Sequence, residues 1–158
     1  KEIWTVRNMG SSTQQNRRNS KNKDKGALRR QTKQMQKHFP ATKIKYLPED
    51  FTQMLDLPRL DGIVMANSLH FVLDKRPVLR RIMSYLKPGG RLIMVEYNTD
   101  QGDRWVPYPM TYTTWEKLAA DVGFASTDQL MNRSSSFLGE FFSAVSIMPD
   151  EDESLPDA

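Results

Sequence analysis

Two continuous apolar runs stand on either side of a helical pattern between residues 60 and 98. The first run, GIVMA at residues 62–66, is typical of a strand buried on both faces of a parallel sheet. The second, RLIMVEY at residues 91–97, has the same character. Between them, apolar residues recur at helical spacing after Asp74, a good N-cap, and KPGG at residues 87–90 predicts the helix end. The pattern predicts a right-handed strand–helix–strand unit.

Further elements are predicted on both sides of this unit. EIWTV (2–6) and KIKYL (43–47) are rich in β-forming residues, and a helical pattern runs from Ala27 to Phe39 between them. TTWE (113–116) has the spacing of a capping box at a helix start. Two strand-like runs within residues 128–148, joined by a serine-rich turn, predict an antiparallel pair. The order of elements predicts an α/β, Rossmann-like fold with a mostly parallel sheet and a C-terminal antiparallel hairpin.

The charge is distributed unevenly along the 158 residues, and this suggests a division of the chain. Residues 1–45 hold 13 Lys and Arg against 2 Asp and Glu, a net +11, whereas the remainder carries −7. We therefore predict a short strand with a disordered basic loop (1–26), one α/β domain (27–148) and an acidic disordered tail (149–158).

The composition excludes several kinds of chemistry. The chain has no cysteine, so disulfides, thiolate metal sites and cysteine nucleophiles are excluded, and two histidines make a histidine-rich metal site implausible. We predict no bound metal. No apolar run reaches the length of a membrane span, and a cytoplasmic protein without membrane contact is the expectation.

Polar side chains stand where predicted strands end. Asp50 and Phe51 follow one strand, Asn67, Ser68 and His70 follow the next, and Glu96 closes a third. In open parallel sheets, ligands bind beyond the carboxyl ends of the strands. We expect these side chains to surround a common hollow that offers acceptors, an amide and an imidazole.

These residues resemble a known family. DGIVMANSLHFV, LKPGGRLIMVEY and the closing hairpin are similar to the C-terminal half of class I S-adenosylmethionine-dependent methyltransferases, over residues 27–148. YLPEDF also sits where that family has an acidic residue followed by an apolar or aromatic one. The resemblance implies methyl transfer from S-adenosylmethionine to an acceptor that the sequence does not identify.

The resemblance also implies roles for particular residues. Asp50 would accept a hydrogen bond from the adenine amino group, and Phe51 would lie against the ring. Asn67 and Ser68 would lie near the methionine part of the cofactor. Because the sulfonium is an activated methyl donor, catalysis is mainly positioning, with a base only for a protonated acceptor. His70 is the side chain suited to that catalytic role.

The sequence departs from the family at its start. Class I enzymes carry a glycine-rich cofactor loop after their first strand, and here the early glycines, Gly10 and Gly26, are isolated. We expect a domain truncated at its N-terminus, with cofactor binding impaired. Such truncation would leave a hydrophobic sheet edge beside GIVMA, through which the chain could oligomerise.

Each candidate also has a structural alternative. Asn67 could cap the following turn, His70 could be held by a backbone partner, and Asp50 could be a solvated charge. A rival function is a non-catalytic remnant that acts as an interaction module through the basic segment. Nucleic-acid binding is disfavoured, because no aromatic residue is interleaved with the basic residues at 7–37.

Overall fold

The computed structural model describes residues 2–6, 29–30, 32–41, 43–47 and 49–151. The predicted basic loop at 7–26 and residues 152–158 of the predicted tail lie outside the described residues. The chain divides into two compact units, Lys1–Leu55 and Asp56–Ala158, which are described separately. None of the described helices has the length and apolar character needed to cross a bilayer.

The first unit contains a parallel strand pair. β1 (Glu2–Val6) pairs with β2 (Lys43–Leu47), and Ile3 lies opposite Ile44 in their register. Residues 29–30 and 32–38 are helical (α1) and come between the two strands in the sequence. The β-branched residues of both runs therefore form the strands that their composition predicted.

The second unit contains a four-stranded mixed sheet and two helices. The elements are listed here in chain order: β3 (Leu60–Ala66), a 3-10 turn (Leu69–Phe71), α2 (Lys75–Ser84), β4 (Leu86–Tyr97), α3 (Tyr112–Val122), β5 (Ser126–Ser134) and β6 (Glu140–Ile147). The strand order is β3-β4-β6-β5. β3 and β4 are parallel, and β6 is antiparallel to both β4 and β5, so three of the four strands share one direction. The predicted fold class and C-terminal hairpin are confirmed.

The core of this unit lies on one face of the sheet. Alternate residues of the central strands are fully buried there: Leu92, Met94, Glu96, Phe142, Ala144 and Ser146. α2 and α3 bury their apolar stripes, which include Leu79 and Trp115. The opposite face is more open, and Val64 on it is 66% exposed, so the prediction that GIVMA is buried on both faces is wrong. Because side chains alternate along a strand, one face of the sheet carries the packing and the other is left accessible.

The end of α2 differs from the prediction. The helix stops at Ser84 rather than at residues 87–90, because Leu86 already pairs with Leu60 of β3. KPGG is a bulge within β4, and regular pairing resumes between Gly62 and Arg91. A side chain at Gly90 would place its Cβ 2.7 Å from the Lys87 carbonyl oxygen, so the bulge requires glycine there.

The start of α3 also differs. The predicted capping box at 113–116 is wrong: Thr111 is the N-cap, and its hydroxyl accepts a hydrogen bond from the Thr114 amide at 3.2 Å. Asp100 accepts from the Thr111 amide at 3.0 Å, and Asn98 accepts from the Tyr112 amide at 2.9 Å. These oxygens satisfy amides that have no partner inside the helix.

Candidate active site

A buried carboxylate organises the turn that follows β3. Glu96 lies at an inward position near the end of β4 and is fully buried. Its Oε1 accepts hydrogen bonds from the backbone amides of Ser68, Leu69 and His70, at 2.9, 2.8 and 3.3 Å. Because parallel pairing brings the carboxyl ends of β3 and β4 together, this carboxylate can cap the first amides of the 3-10 turn.

The same carboxylate also holds the imidazole of His70. Glu96 Oε2 lies 2.6 Å from His70 Nδ1, and the two side chains are 0% and 4% exposed. This contact places the Nδ1 proton toward Glu96 and leaves Nε2 as the other reactive atom of the ring. We name this pair the His70–Glu96 dyad.

The second imidazole nitrogen makes no hydrogen bond within the described part of the chain. Among the described residues, Nε2 of His70 has no hydrogen-bond partner, and it is not one of their fully buried unpaired atoms, of which Trp115 Nε1 is the one found. Nε2 is therefore not fully enclosed, although His70 as a whole is buried and 3% exposed. An imidazole that is held at one nitrogen and accessible at the other has the geometry of a general base.

Aromatic rings surround the dyad. The Phe71 ring centroid lies 4.2 Å from that of His70, and the Tyr97 centroid lies 5.9 Å away. Tyr97 in turn packs on Phe141 of β6, with centroids 4.4 Å apart. Phe71 is 52% exposed, so an apolar surface continues from the imidazole toward solvent.

The side-chain amide of Asn67 stands at the tip of β3. Asn67 adopts a left-handed backbone with φ of 50°, which asparagine tolerates better than most residues. Its side chain has no hydrogen-bond partner within the described part of the chain, and Glu96, not Asn67, caps the turn. Asn67 lines an open hollow of about 390 Å³ on the accessible face of the sheet. The other lining residues are Val95, Met131, Arg133, Ser134, Phe141, Phe142 and Ser143.

The remaining predicted cofactor residues are placed as follows. Ser68 contributes its amide to Glu96 and makes no side-chain capping bond. Asp50 and Phe51 belong to the first unit, whereas the dyad belongs to the second. Asp50 Oδ1 accepts from the amide and hydroxyl of Thr52, at 2.9 and 2.8 Å, and Phe51 is 6% exposed. The cofactor roles of these residues stay predictions.

Each unit, taken separately, offers polar groups that suit an adenosyl amino acid. In the first unit, Asp50 Oδ2 has no partner among the described residues and can accept from an amine. In the second, the Asn67 amide can donate and accept. These groups fit the polar parts of S-adenosylmethionine. Among the described residues no group of three metal-binding side chains occurs.

A loop between β4 and α3 packs beside the dyad. In this 99–110 loop, Asp103 Oδ1 accepts from the amides of Trp105 and Val106, each at 2.7 Å, which closes a tight turn. The Tyr108 amide donates to the His70 carbonyl oxygen at 2.9 Å. The loop is therefore hydrogen-bonded to the residue that carries the candidate base.

Two charged groups near this loop have shifted pKa values. Burial lowers the pKa of Lys75 from its usual range, and the attraction of Glu96 offsets this in part. Partial burial would raise the pKa of Asp100, but hydrogen bonds from the Thr111 amide and the Thr114 and Thr111 side chains together lower it. Lys75 thus lies close enough to Glu96 to be attracted by it, while partial loss of hydration disfavours its charged form.

Comparisons with known proteins agree with this architecture. The family model described as a methyltransferase domain matches residues 20–94. The chain resembles class I methyltransferases, as predicted.

Among curated proteins, the highly reducing polyketide synthase pkhB of Emericella nidulans is 26% identical over 120 residues, which cover 70% of this chain. These residues span 4% of that synthase. The match therefore concerns one segment of a much longer protein.

Solved structures of methyltransferases share the fold. The CurJ carbon methyltransferase has a TM-score of 0.56 and 21% identity, over 75% of this chain and 39% of that one. Human N-acetylserotonin methyltransferase, solved in complex with S-adenosylmethionine, has a TM-score of 0.51 and 22% identity, over 68% of this chain and 34% of that one. At this identity, the likeness establishes a methyltransferase fold.

His70 follows the end of β3, as its sequence position predicts, but its contact with Glu96 was not predicted. Glu96 was expected to be an open acceptor at the strand ends, whereas it is fully buried. The signal was its position: Leu92, Met94 and Glu96 alternate on the inward side of the strand. A carboxylate on that side needs several donors, which only the folded turn provides.

Proposed function

We propose that this chain transfers a methyl group from S-adenosylmethionine to a carbon acid, with His70 as the general base. The observation that carries the proposal is the His70–Glu96 dyad, in which a buried carboxylate holds Nδ1 while Nε2 has no hydrogen-bond partner among the described residues. A base is needed where the acceptor must lose a proton before it can accept a methyl group.

The acceptor class is inferred from chemistry and from the relatives. A carbon adjacent to a carbonyl group has no lone pair, so it becomes a nucleophile only when a base removes its proton. One similar solved protein is a carbon methyltransferase, and a curated relative is a polyketide synthase. We therefore propose an acyl intermediate with an acidic CH group between two carbonyls as the acceptor.

The residues of the site have separate roles in this proposal. S-adenosylmethionine, when bound, supplies a methyl group activated by its sulfonium. His70 Nε2 takes the proton of the acceptor, and Glu96 stabilises the imidazolium that results. Within the second unit, Asn67 and Ser68 at the tip of β3 are proposed to contact the methionine part of the cofactor. Within the first unit, Asp50 and Phe51 are proposed as adenine contacts, as the family resemblance implies. Phe71 and Tyr97 pack against the imidazole and place an apolar surface beside the base.

Transfer of a labelled methyl group to a β-ketoacyl thioester tests the proposal. We expect His70→Gln to lower the rate by about 10² to 10⁴ fold, because the amide cannot act as a base. His38, an exposed histidine on α1, offers the matched control His38→Gln, which should retain the wild-type rate. Equal rates for wild type and His70→Gln would refute the role of His70.

A second candidate function is that of a non-catalytic interaction module. The net charge of +11 over residues 1–45 favours an acidic partner. Salt-sensitive binding to RNA, together with no saturable binding of S-adenosylmethionine, would support this candidate over the enzyme.

A further inference from the structure

One lysine, Lys75, helps to join the 99–110 loop to the turn that contains His70. Lys75, the first residue of α2, donates from Nζ to the carbonyl oxygens of Val72 and Tyr108, each at 2.8 Å. Val72 follows the 3-10 turn of the dyad, whereas Tyr108 belongs to the loop. One ammonium group therefore joins two segments that lie 36 residues apart in the chain, at positions 72 and 108.

Tyr108 is held at both ends of its backbone unit and at its ring. Its amide donates to the His70 carbonyl oxygen at 2.9 Å, and its own carbonyl oxygen accepts from Lys75. The Lys75 Nζ also lies 5.9 Å from the Tyr108 ring centroid, within range of a cation–π contact. Each of these groups belongs to the segment 70–75.

The arrangement carries a cost that a purely solvated lysine avoids. Half-buried Lys75 has lost part of its hydration, and burial lowers its pKa. Arg76, its neighbour on the same helix, instead forms an exposed ion pair with Asp121 at 3.1 Å. Partial burial of a charge costs free energy. The two hydrogen bonds that Lys75 donates to carbonyl oxygens offset this cost, and they join two segments of the chain.

We propose that Lys75 is a positioning residue that locks the Tyr108 backbone onto the His70 turn and thereby fixes the 99–110 loop as a wall of the acceptor site. The role in catalysis rests on the proposed function, whereas the lock itself is a property of the free protein. Without the ammonium group the Tyr108 carbonyl oxygen loses its partner, so the loop can move away from the base.

Two variants of the full chain separate this proposal from a general effect on folding. Lys75→Met keeps the length of the side chain and removes both hydrogen bonds, whereas Lys75→Arg can still donate to two carbonyl groups. Lys117→Met, at an exposed lysine of α3, is the matched control. Retained circular dichroism and thermal unfolding of each variant show that the fold is kept.

The first measurement is hydrogen exchange at the Tyr108 amide. We expect at least about tenfold faster exchange in Lys75→Met, since this amide is protected by its bond to His70, and near wild-type exchange in Lys75→Arg and Lys117→Met. Unchanged exchange in Lys75→Met would overturn the lock. This result does not depend on whether the chain transfers methyl groups.

The second measurement is the rate of methyl transfer. We expect Lys75→Met to lower kcat by about tenfold to a hundredfold, with affinity for S-adenosylmethionine unchanged and with rescue by Lys75→Arg. Faster Tyr108 exchange without any loss in kcat would overturn the positioning role. A wild-type chain that transfers no methyl group would refute the proposed function. The exchange data would still test whether Lys75 holds the Tyr108 backbone on the His70 turn.

Discussion

His70 Nδ1 and Glu96 Oε2 lie 2.6 Å apart, although 26 residues separate them in the chain. The contact exists because β3 and β4 pair in parallel, which brings the turn after β3 to the end of β4. Glu96 also accepts hydrogen bonds from three amides of that turn, so the base and its backbone share one anchor. The candidate chemistry and the local stability therefore depend on the same carboxylate.

Glu96→Ala should destabilise the chain strongly. The change leaves three amides and an imidazole without their acceptor in a buried place, and we expect a loss of about 3 to 5 kcal/mol in the free energy of unfolding. Urea unfolding measures it. Glu140→Ala, at an exposed glutamate that begins β6, should stay within about 0.5 kcal/mol of wild type.

Glu96→Gln separates the two roles of the carboxylate. The amide oxygen can still accept from the turn, so we expect a smaller loss of stability than with alanine. The –NH₂ group cannot accept a hydrogen bond from Nδ1–H of His70, so we expect methyl transfer to fall by about 10² fold or more. Wild-type activity in this variant would contradict the dyad.

Thr111→Ala should lower the free energy of unfolding by about 1 kcal/mol, because the N-cap hydroxyl that accepts a hydrogen bond from the Thr114 amide is lost. Thr113→Ala is the matched control, since Thr113 is exposed in the first turn of α3. Chemical unfolding of both variants compares them. A larger loss from Thr113→Ala would instead support a capping box at residues 113–116.

The pKa of Lys75 predicts a pH dependence of stability. Its pKa is lowered in the folded chain by burial, so between that lowered pKa and 10.5 the unfolded chain binds more protons than the folded chain. The free energy of unfolding contributed by this group therefore rises with pH through that window. We expect wild type to gain stability relative to Lys75→Met between neutral pH and pH 10.5, as measured by urea unfolding. A constant difference across this range would contradict the shift.

The edge of the sheet gives a prediction about self-association. β3 ends the four-stranded sheet, and Val64 on it is 66% exposed. Association through this edge stays a prediction, and Val64→Lys should weaken it, because a lysine on an edge strand opposes edge-to-edge pairing. Light scattering measures the effect. Leu73→Lys, at an apolar residue that is 73% exposed outside the sheet, should leave the particle size unchanged.

The amino-acid sequence alone determined where the strands and α2 begin along the chain and which strands pair in parallel or antiparallel. Continuous apolar runs marked the parallel strands, and Asp74 marked the start of α2, where its side chain accepts from the Arg76 amide at 3.3 Å. The two strand-like runs near the C-terminus, joined by a serine-rich turn, marked the antiparallel pair. These features were predictable because periodicity and capping act over a few residues.

Tertiary structure decided what required contacts between distant segments. KPGG became a bulge within β4 because Leu86 found a strand partner in Leu60, which no local propensity encodes. The burial of Glu96 and its hold on His70 arose only when the ends of two strands met. A sequence shows which residues could be acids, bases or caps, and the fold decides which of them share a hydrogen bond.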